Sequence, residues 1–211
     1  MINVLCYGDS ITWGYNPEIM GRFDYKDRWT GILQHTLGDP YRIIESGLNG
    51  RTTVFEDVFT PYGKFGVGVN TLPMVLDTHA PVDLVVLMLG TNDLQPHRSA
   101  DAKMAARGCR KCIEEIIKSM AGKEQKAPRI LLMAPPVLKQ PRGMMSAIFS
   151  HDVAESQQFA AYYQLLAQVH GIEFLDTSQY VESSDVDGVH LDKQGNYALG
   201  LAVADKIKSL F

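Results

Sequence analysis

The chain has 211 residues, enough for one domain, or two tight ones at most, at roughly 100–200 residues per domain. Hydrophobic residues make up 45% and charged residues 21%, which excludes a disordered chain. Twenty Lys and Arg stand against 24 Asp and Glu, a net charge of −4, so the basic footprint of a nucleic-acid binder is missing.

A chain of this length buries about 70% of its unfolded surface and needs no disulfide or metal staple. Its three cysteines are odd in number and sparse, which argues against a secreted disulfide framework. Met1-Ile2-Asn3-Val4-Leu5-Cys6-Tyr7 has no positively charged start and no cleavage pattern, so it reads as a strand and not as a signal peptide. No run approaches 18 apolar residues, the least a membrane span needs. A cytoplasmic protein without a membrane partner is expected. No repeat, low-complexity tract or linker divides the sequence, which favours a single domain over residues 1–211.

In chain order, five short apolar runs read as strands: Asn3–Tyr7, Tyr41–Glu45, Leu84–Leu89, Arg129–Met133 and Ile172–Leu175. They are continuous and not alternating, the pattern of parallel strands covered on both faces. Helical spacing fills the intervals. It is carried by Trp29, Ile32, Leu33 and Leu37, then by Leu72, Val75 and Leu76. Next come Cys109, Cys112, Ile113, Ile116, Ile117 and Met120, then Phe159, Tyr162, Tyr163, Leu166 and Val169. Leu199, Leu201, Val203, Ile207 and Leu210 mark the last helix. Gly38 and Gly171 fall where a helix C-terminus wants a left-handed residue, and Asp192 where an N-cap is wanted. Alternating strands and helices predict a doubly wound, five-stranded parallel sheet with helices on both faces, a three-layer α/β/α fold. Ligands bind such sheets at the carboxyl ends of the strands, near the switch point.

The residues after the strands carry the chemistry. Strand one is followed by Gly8-Asp9-Ser10-Ile11-Thr12-Trp13-Gly14, which holds a serine at the sheet edge or forms a plain Gly-Asp-Ser turn. It fits neither a phosphate loop nor the Gly-x-Ser-x-Gly elbow. Strand two leads into Ser46-Gly47-Leu48-Asn49-Gly50-Arg51-Thr52-Thr53, where glycines let backbone N–H groups face a ligand. Strand three leads into Gly90-Thr91-Asn92-Asp93, where an Asn side chain can donate to a developing oxyanion. Before the last helix, Asp185-Val186-Asp187-Gly188-Val189-His190 places a carboxylate where it can orient an imidazole. Each fragment alone has a bland reading as a turn or cap. Together they supply a nucleophile, oxyanion donors, a base and an orienting acid, the set required for acyl transfer.

These blocks, spread from Gly8 to His190, resemble the GDSL or SGNH hydrolases. The resemblance implies a flavodoxin-like sheet and assigns the family's four named residues to Ser10, Gly50, Asn92 and His190. Gly47 is the other candidate in the second block. Gly50 is preferred because Asn49-Gly50-Arg51-Thr52-Thr53 fits the family's order of residues. Arg28-Trp29 and Met88-Leu89-Gly90-Thr91-Asn92-Asp93 are similar to the arylesterase and acyltransferase branch, from which Gly50 departs in lacking Ala or Ser. That branch implies hydrolysis of small aryl and alkyl esters, acyl transfer to alcohols or peroxide in some members, and homo-oligomers.

The expected roles are Ser10 as nucleophile, His190 as base and Asp187 as orienting acid, with Asp185 as the competing acid. The oxyanion would be met by the N–H groups of Ser10 and Gly50 and by the side chain of Asn92. Asp9, beside the nucleophile, is expected to orient the loop through hydrogen bonds and, with Trp13, is a candidate substrate contact; Trp13 and Trp29 are equally suited to the core. No cofactor or metal is implied: Cys109-x-x-Cys112 sits in a helical pattern, and His35, His79, His97, His151 and His170 are scattered. Two apolar loops, Val54–Asn70 and Pro135–Val153, are expected to rim the site and serve an oligomer interface, or to pack small satellite cores. Alternatives are a carbohydrate O-deacetylase, a short-chain acyl thioesterase or, in another class, a non-catalytic module for a mononucleotide or flavin.

Overall fold

The computed structural model describes residues 1–149 and 153–211. Ser150, His151 and Asp152, inside the second apolar loop, lie outside the described residues.

The five apolar runs form one sheet of β1 (Ile2–Gly8), β4 (Tyr41–Gly47), β5 (Leu84–Met88), β6 (Arg129–Ala134) and β7 (Glu173–Asp176). All pairs are parallel and the order is β4-β1-β5-β6-β7. A small antiparallel ribbon, β2 (Tyr15–Asn16) with β3 (Gly21–Arg22), follows β1. Strand ends match the sequence reading within one or two residues.

Both sheet faces are covered, which explains the continuous hydrophobicity of the strands. Leu5, Tyr7, Val85, Leu87, Ile130 and Leu132 face one core. It is closed by α3 (Gly68–His79), α4 (Ala102–Lys118) and α7 (Phe159–His170). Val4, Cys6, Val86, Met88, Leu131 and Met133 face the other, closed by α2 (Trp29–Leu37) and α8 (Lys193–Lys208). The strands thus feed alternate residues into two cores, and each fully buried Leu, Ile, Val, Phe or Met side chain contributes about 1.5–3 kcal/mol. Trp29 is fully buried among the second set, so its role is packing.

The helix boundaries follow local chemistry. Asp192 Oδ1 accepts from Gly195 N at 2.7 Å and starts α8. Asp101 does the same for Met104 N and α4. Gly38 and Gly171, both at positive φ, end α2 and α7. Cys109 and Cys112 lie on the buried face of α4, where burial pushes the Cys112 thiol up to about 12. Both are packing residues.

The two apolar loops are shorter than the sequence suggested, because α3 begins at Gly68 and the second loop contains α5 (Met145–Ile148) and α6 (Val153–Ser156). Among the described residues no helix is long and apolar enough to cross a membrane.

Candidate active site

The chain turns from one side of the sheet to the other beside β1, and there the carboxyl ends of β4, β1 and β5 open into a cavity of about 590 Å³. Ser10, Gly50, Asn92 and His190 all line it.

Ser10 is held by a four-residue helix, α1 (Ser10–Trp13). Asp9 caps it, its Oδ1 accepting from Ile11 N at 3.0 Å. Asp9 is 1% exposed and is not part of the cavity wall, so it orients the turn that carries Ser10 and does not line the substrate cavity. Burial pushes its carboxyl up to about 6. Gly14, at φ +85, stops the helix with a left-handed turn. That turn leaves Trp13 outside the cavity with the Arg22 guanidinium over its ring, and brings Tyr15 into the wall instead. Tyr15 thus joins the wall beside the Ser10 turn, its ring centroid 4.2 Å from that of His190.

His190 Nε2 lies 2.9 Å from Ser10 Oγ, and His190 Nδ1 lies 2.6 Å from Asp187 Oδ2. The other Asp187 oxygen accepts from the N–H groups of Val189 and His190, both at 2.9 Å. Burial opposes ionisation of Asp187, but the hydrogen bond and charge of His190, with the two N–H groups, hold its carboxyl below the usual range. Asp185 is exposed and pairs with Lys139 at 3.3 Å, so it is not the partner of His190.

Gly50 and Gly47 do different things. A Cβ on Gly47 would sit 2.1 Å from Trp13 N, so this glycine lets α1 press against β4. Gly50 has φ +74, lines the cavity and has open space around its Cα apart from Thr60. Neither the Gly50 N–H nor the Ser10 N–H has a hydrogen-bond acceptor among the described residues. Asn92 Nδ2 donates to Arg51 O at 3.1 Å, and its Oδ1 accepts from Gln95 Nε2 at 3.1 Å. An amide nitrogen has two hydrogens, so one remains for a ligand.

Arg51 braces this edge. It is buried, donates to Gly8 O at 2.7 Å and to Ser46 O, and lies over the Tyr7 ring. Both apolar loops contribute to the wall, through Asp57, Phe59 and Thr60 on one side and Met145, Ile148 and Phe149 on the other. Among the described residues no group of three or more His, Cys, Asp or Glu side chains is placed to hold a metal ion.

The hydrogen-bonded row of Ser10, His190 and Asp187 thus sits at the switch point of a parallel α/β sheet, where such folds bind their ligands. Residues 6–198 match the family model of the GDSL-like lipase/acylhydrolase family, and the chain belongs to that family. It is similar over its whole length to the carbohydrate acetylesterase Est24 of Sinorhizobium meliloti (35% identity, all of both chains, TM-score 0.92). It is also similar to the aryl esterase of M. smegmatis (33% identity, all of both chains, TM-score 0.92). An acetylxylan esterase of Xylanibacter ruminicola is 25% identical across 98% of this chain, which spans 43% of that relative's length.

Proposed function

We propose that the protein is a serine esterase that hydrolyses small carboxylic esters, with short acyl groups and aryl, alkyl or sugar alcohols, through an acyl-enzyme. The observation that carries this reading is the unbroken row from Ser10 Oγ through the His190 ring to Asp187, at 2.9 and 2.6 Å, opening into the cavity.

Ser10 Oγ attacks the ester carbonyl carbon while His190 Nε2 takes its proton. Asp187, kept ionised by its surroundings, holds the other ring nitrogen as N–H and stabilises the imidazolium. The tetrahedral oxyanion is received by the N–H groups of Ser10 and Gly50 and by Asn92 Nδ2. His190 then protonates the leaving alcohol. Water repeats the sequence on the acyl-enzyme; an alcohol or peroxide in its place gives acyl transfer. Tyr15, Phe59, Met145 and Ile148 supply apolar walls for a short acyl chain or an aryl group. A non-catalytic mononucleotide or flavin module would have no use for the Ser–His–Asp row.

Sugar acetyl esters are the second substrate class, favoured by the full-length similarity to the Sinorhizobium acetylesterase. Self-association belongs to the same proposal: Val58, Phe59 and Phe65 are 76%, 82% and 66% exposed beside the cavity, and light scattering at micromolar concentration tests it. The deciding experiment is a panel of p-nitrophenyl esters of increasing chain length, acyl-CoA thioesters and acetylated sugars. Turnover of acetyl esters that vanishes in Ser10→Ala supports the proposal, and turnover unchanged in that variant overturns it.

A further inference from the structure

The orientation of the Asn92 amide is set from two sides, by the Arg51 carbonyl that accepts from its nitrogen and by a chain of groups of fixed hydrogen-bonding polarity that reaches its oxygen. Arg98 begins it. Its guanidinium carries only donors. One nitrogen donates to Gln95 Oε1 at 2.7 Å and to Asn92 O at 2.7 Å. Another pairs with Asp57, on the aromatic loop that forms one wall of the cavity. Both ends of this ion pair are buried. Because Arg98 cannot accept, Gln95 must present its oxygen to Arg98 and its nitrogen to Asn92. Asn92 must then present its oxygen to Gln95, at 3.1 Å, and its nitrogen to Arg51 O and the cavity.

We propose that Gln95 and Arg98 are positioning residues that set which end of the Asn92 amide meets the oxyanion, and that Asp57 ties this relay to the wall of the acyl pocket. This rests on the esterase reading, since it assigns a task to the oxyanion donor of that reaction. Asn, turned over, would present a lone pair to a developing negative charge. The relay makes the turned-over form costly before substrate arrives, which is the preorganisation an oxyanion site requires.

Gln95→Glu tests the polarity directly. The introduced carboxylate is nearly isosteric and pairs well with Arg98, but it accepts where Gln95 donates. Asn92 must then either hold its oxygen against the carboxylate or turn over and set that oxygen against Arg51 O and the cavity, and in both cases the donor aimed at the oxyanion is displaced or lost. Gln95→Met retains the volume and removes the polarity without reversing it. Steady-state kinetics on p-nitrophenyl acetate are compared for wild type, Ser10→Ala and both Gln95 variants, with melting temperatures as the folding control. The expected order of kcat is wild type, then Gln95→Met about tenfold lower, then Gln95→Glu about 10²–10³-fold lower, the range for loss of one oxyanion donor, with KM little changed. A packing role gives the reverse order, because Glu fits the site better than Met, and that order overturns the proposal. If Gln95→Glu does not fold, a Gln95→Met kcat equal to wild type overturns it equally. Ser10→Ala as active as wild type removes the esterase reading and this proposal together; an inactive Ser10→Ala beside a fully active Gln95→Glu removes this proposal alone.

Discussion

His190 Nε2 meets Ser10 Oγ at 2.9 Å, although 180 residues separate them in the chain. One comes from the turn after the first strand, the other from the turn before the last helix. The sheet between them sets the distance. Disturbing either turn is therefore expected to affect activity more than stability.

Asp187→Asn tests the orienting acid. Asn can still accept from the N–H groups of Val189 and His190, so the turn should survive. It offers an N–H to His190 Nδ1 and so favours the wrong tautomer. The expected result is a kcat loss of about 10³–10⁴-fold with little change in melting temperature. Activity within a few-fold of wild type would reassign the acid.

Asn92→Ala should lower kcat by about 10²–10³-fold while KM moves little, because the side chain acts on charge that appears only in the transition state. Steady-state kinetics on a short aryl ester provide the check. A rise in KM at constant kcat would make Asn92 a ground-state binding residue.

Gly47→Ala and Gly50→Ala should separate cleanly. The first pushes a methyl against Trp13 N, where backbone cannot yield, and should cost about 1–3 kcal/mol or more as well as displacing α1. The second meets open space and costs only roughly 1–2 kcal/mol of backbone strain at φ +74. Chemical denaturation measures both. Equal losses would mean that the close approach of α1 to β4 is not what Gly47 serves.

These contrasts show what could be read from residues alone. The strands were legible because burial on both faces removes polar residues from them, and the candidate site was legible because Ser10, Gly50 and Asn92 follow strand ends, and Asp187 and His190 precede the last helix, in short linear blocks. Trp13 and Tyr15 were not separable by sequence: only the left-handed turn at Gly14 decides which aromatic enters the cavity. Asp9 reads from the sequence both as a loop-orienting residue and as a substrate contact, and its bond to Ile11 N gives it the first role. Gln95 and Arg98 carried no signal, because their meaning depends on Asp57, 41 residues before Arg98 and on another loop.

Asp93 should make stability fall as pH rises. It is fully buried beside Thr53, and burial pushes its carboxyl up to about 7 from an ordinary value of 3.8. Between those values the unfolded chain has lost the proton and the folded one keeps it. The contribution is therefore full below about 4 and is lost as pH rises through about 7, falling by at most about 1.4 kcal/mol for each pH step of one in that interval. Asn at this position can accept from Thr53 N and donate to Thr53 Oγ. Asp93→Asn should therefore match wild type near pH 4 and exceed it in melting temperature at pH 8. A difference independent of pH would contradict this.

Ser10 as the nucleophile is the central claim, and a fluorophosphonate probe tests it most directly. Intact-mass and peptide mass spectrometry of the treated wild-type protein should show one adduct, on the peptide that contains Ser10, and none in Ser10→Ala or after prior unfolding. An adduct elsewhere, or an unmodified protein that still turns over esters, would contradict the account.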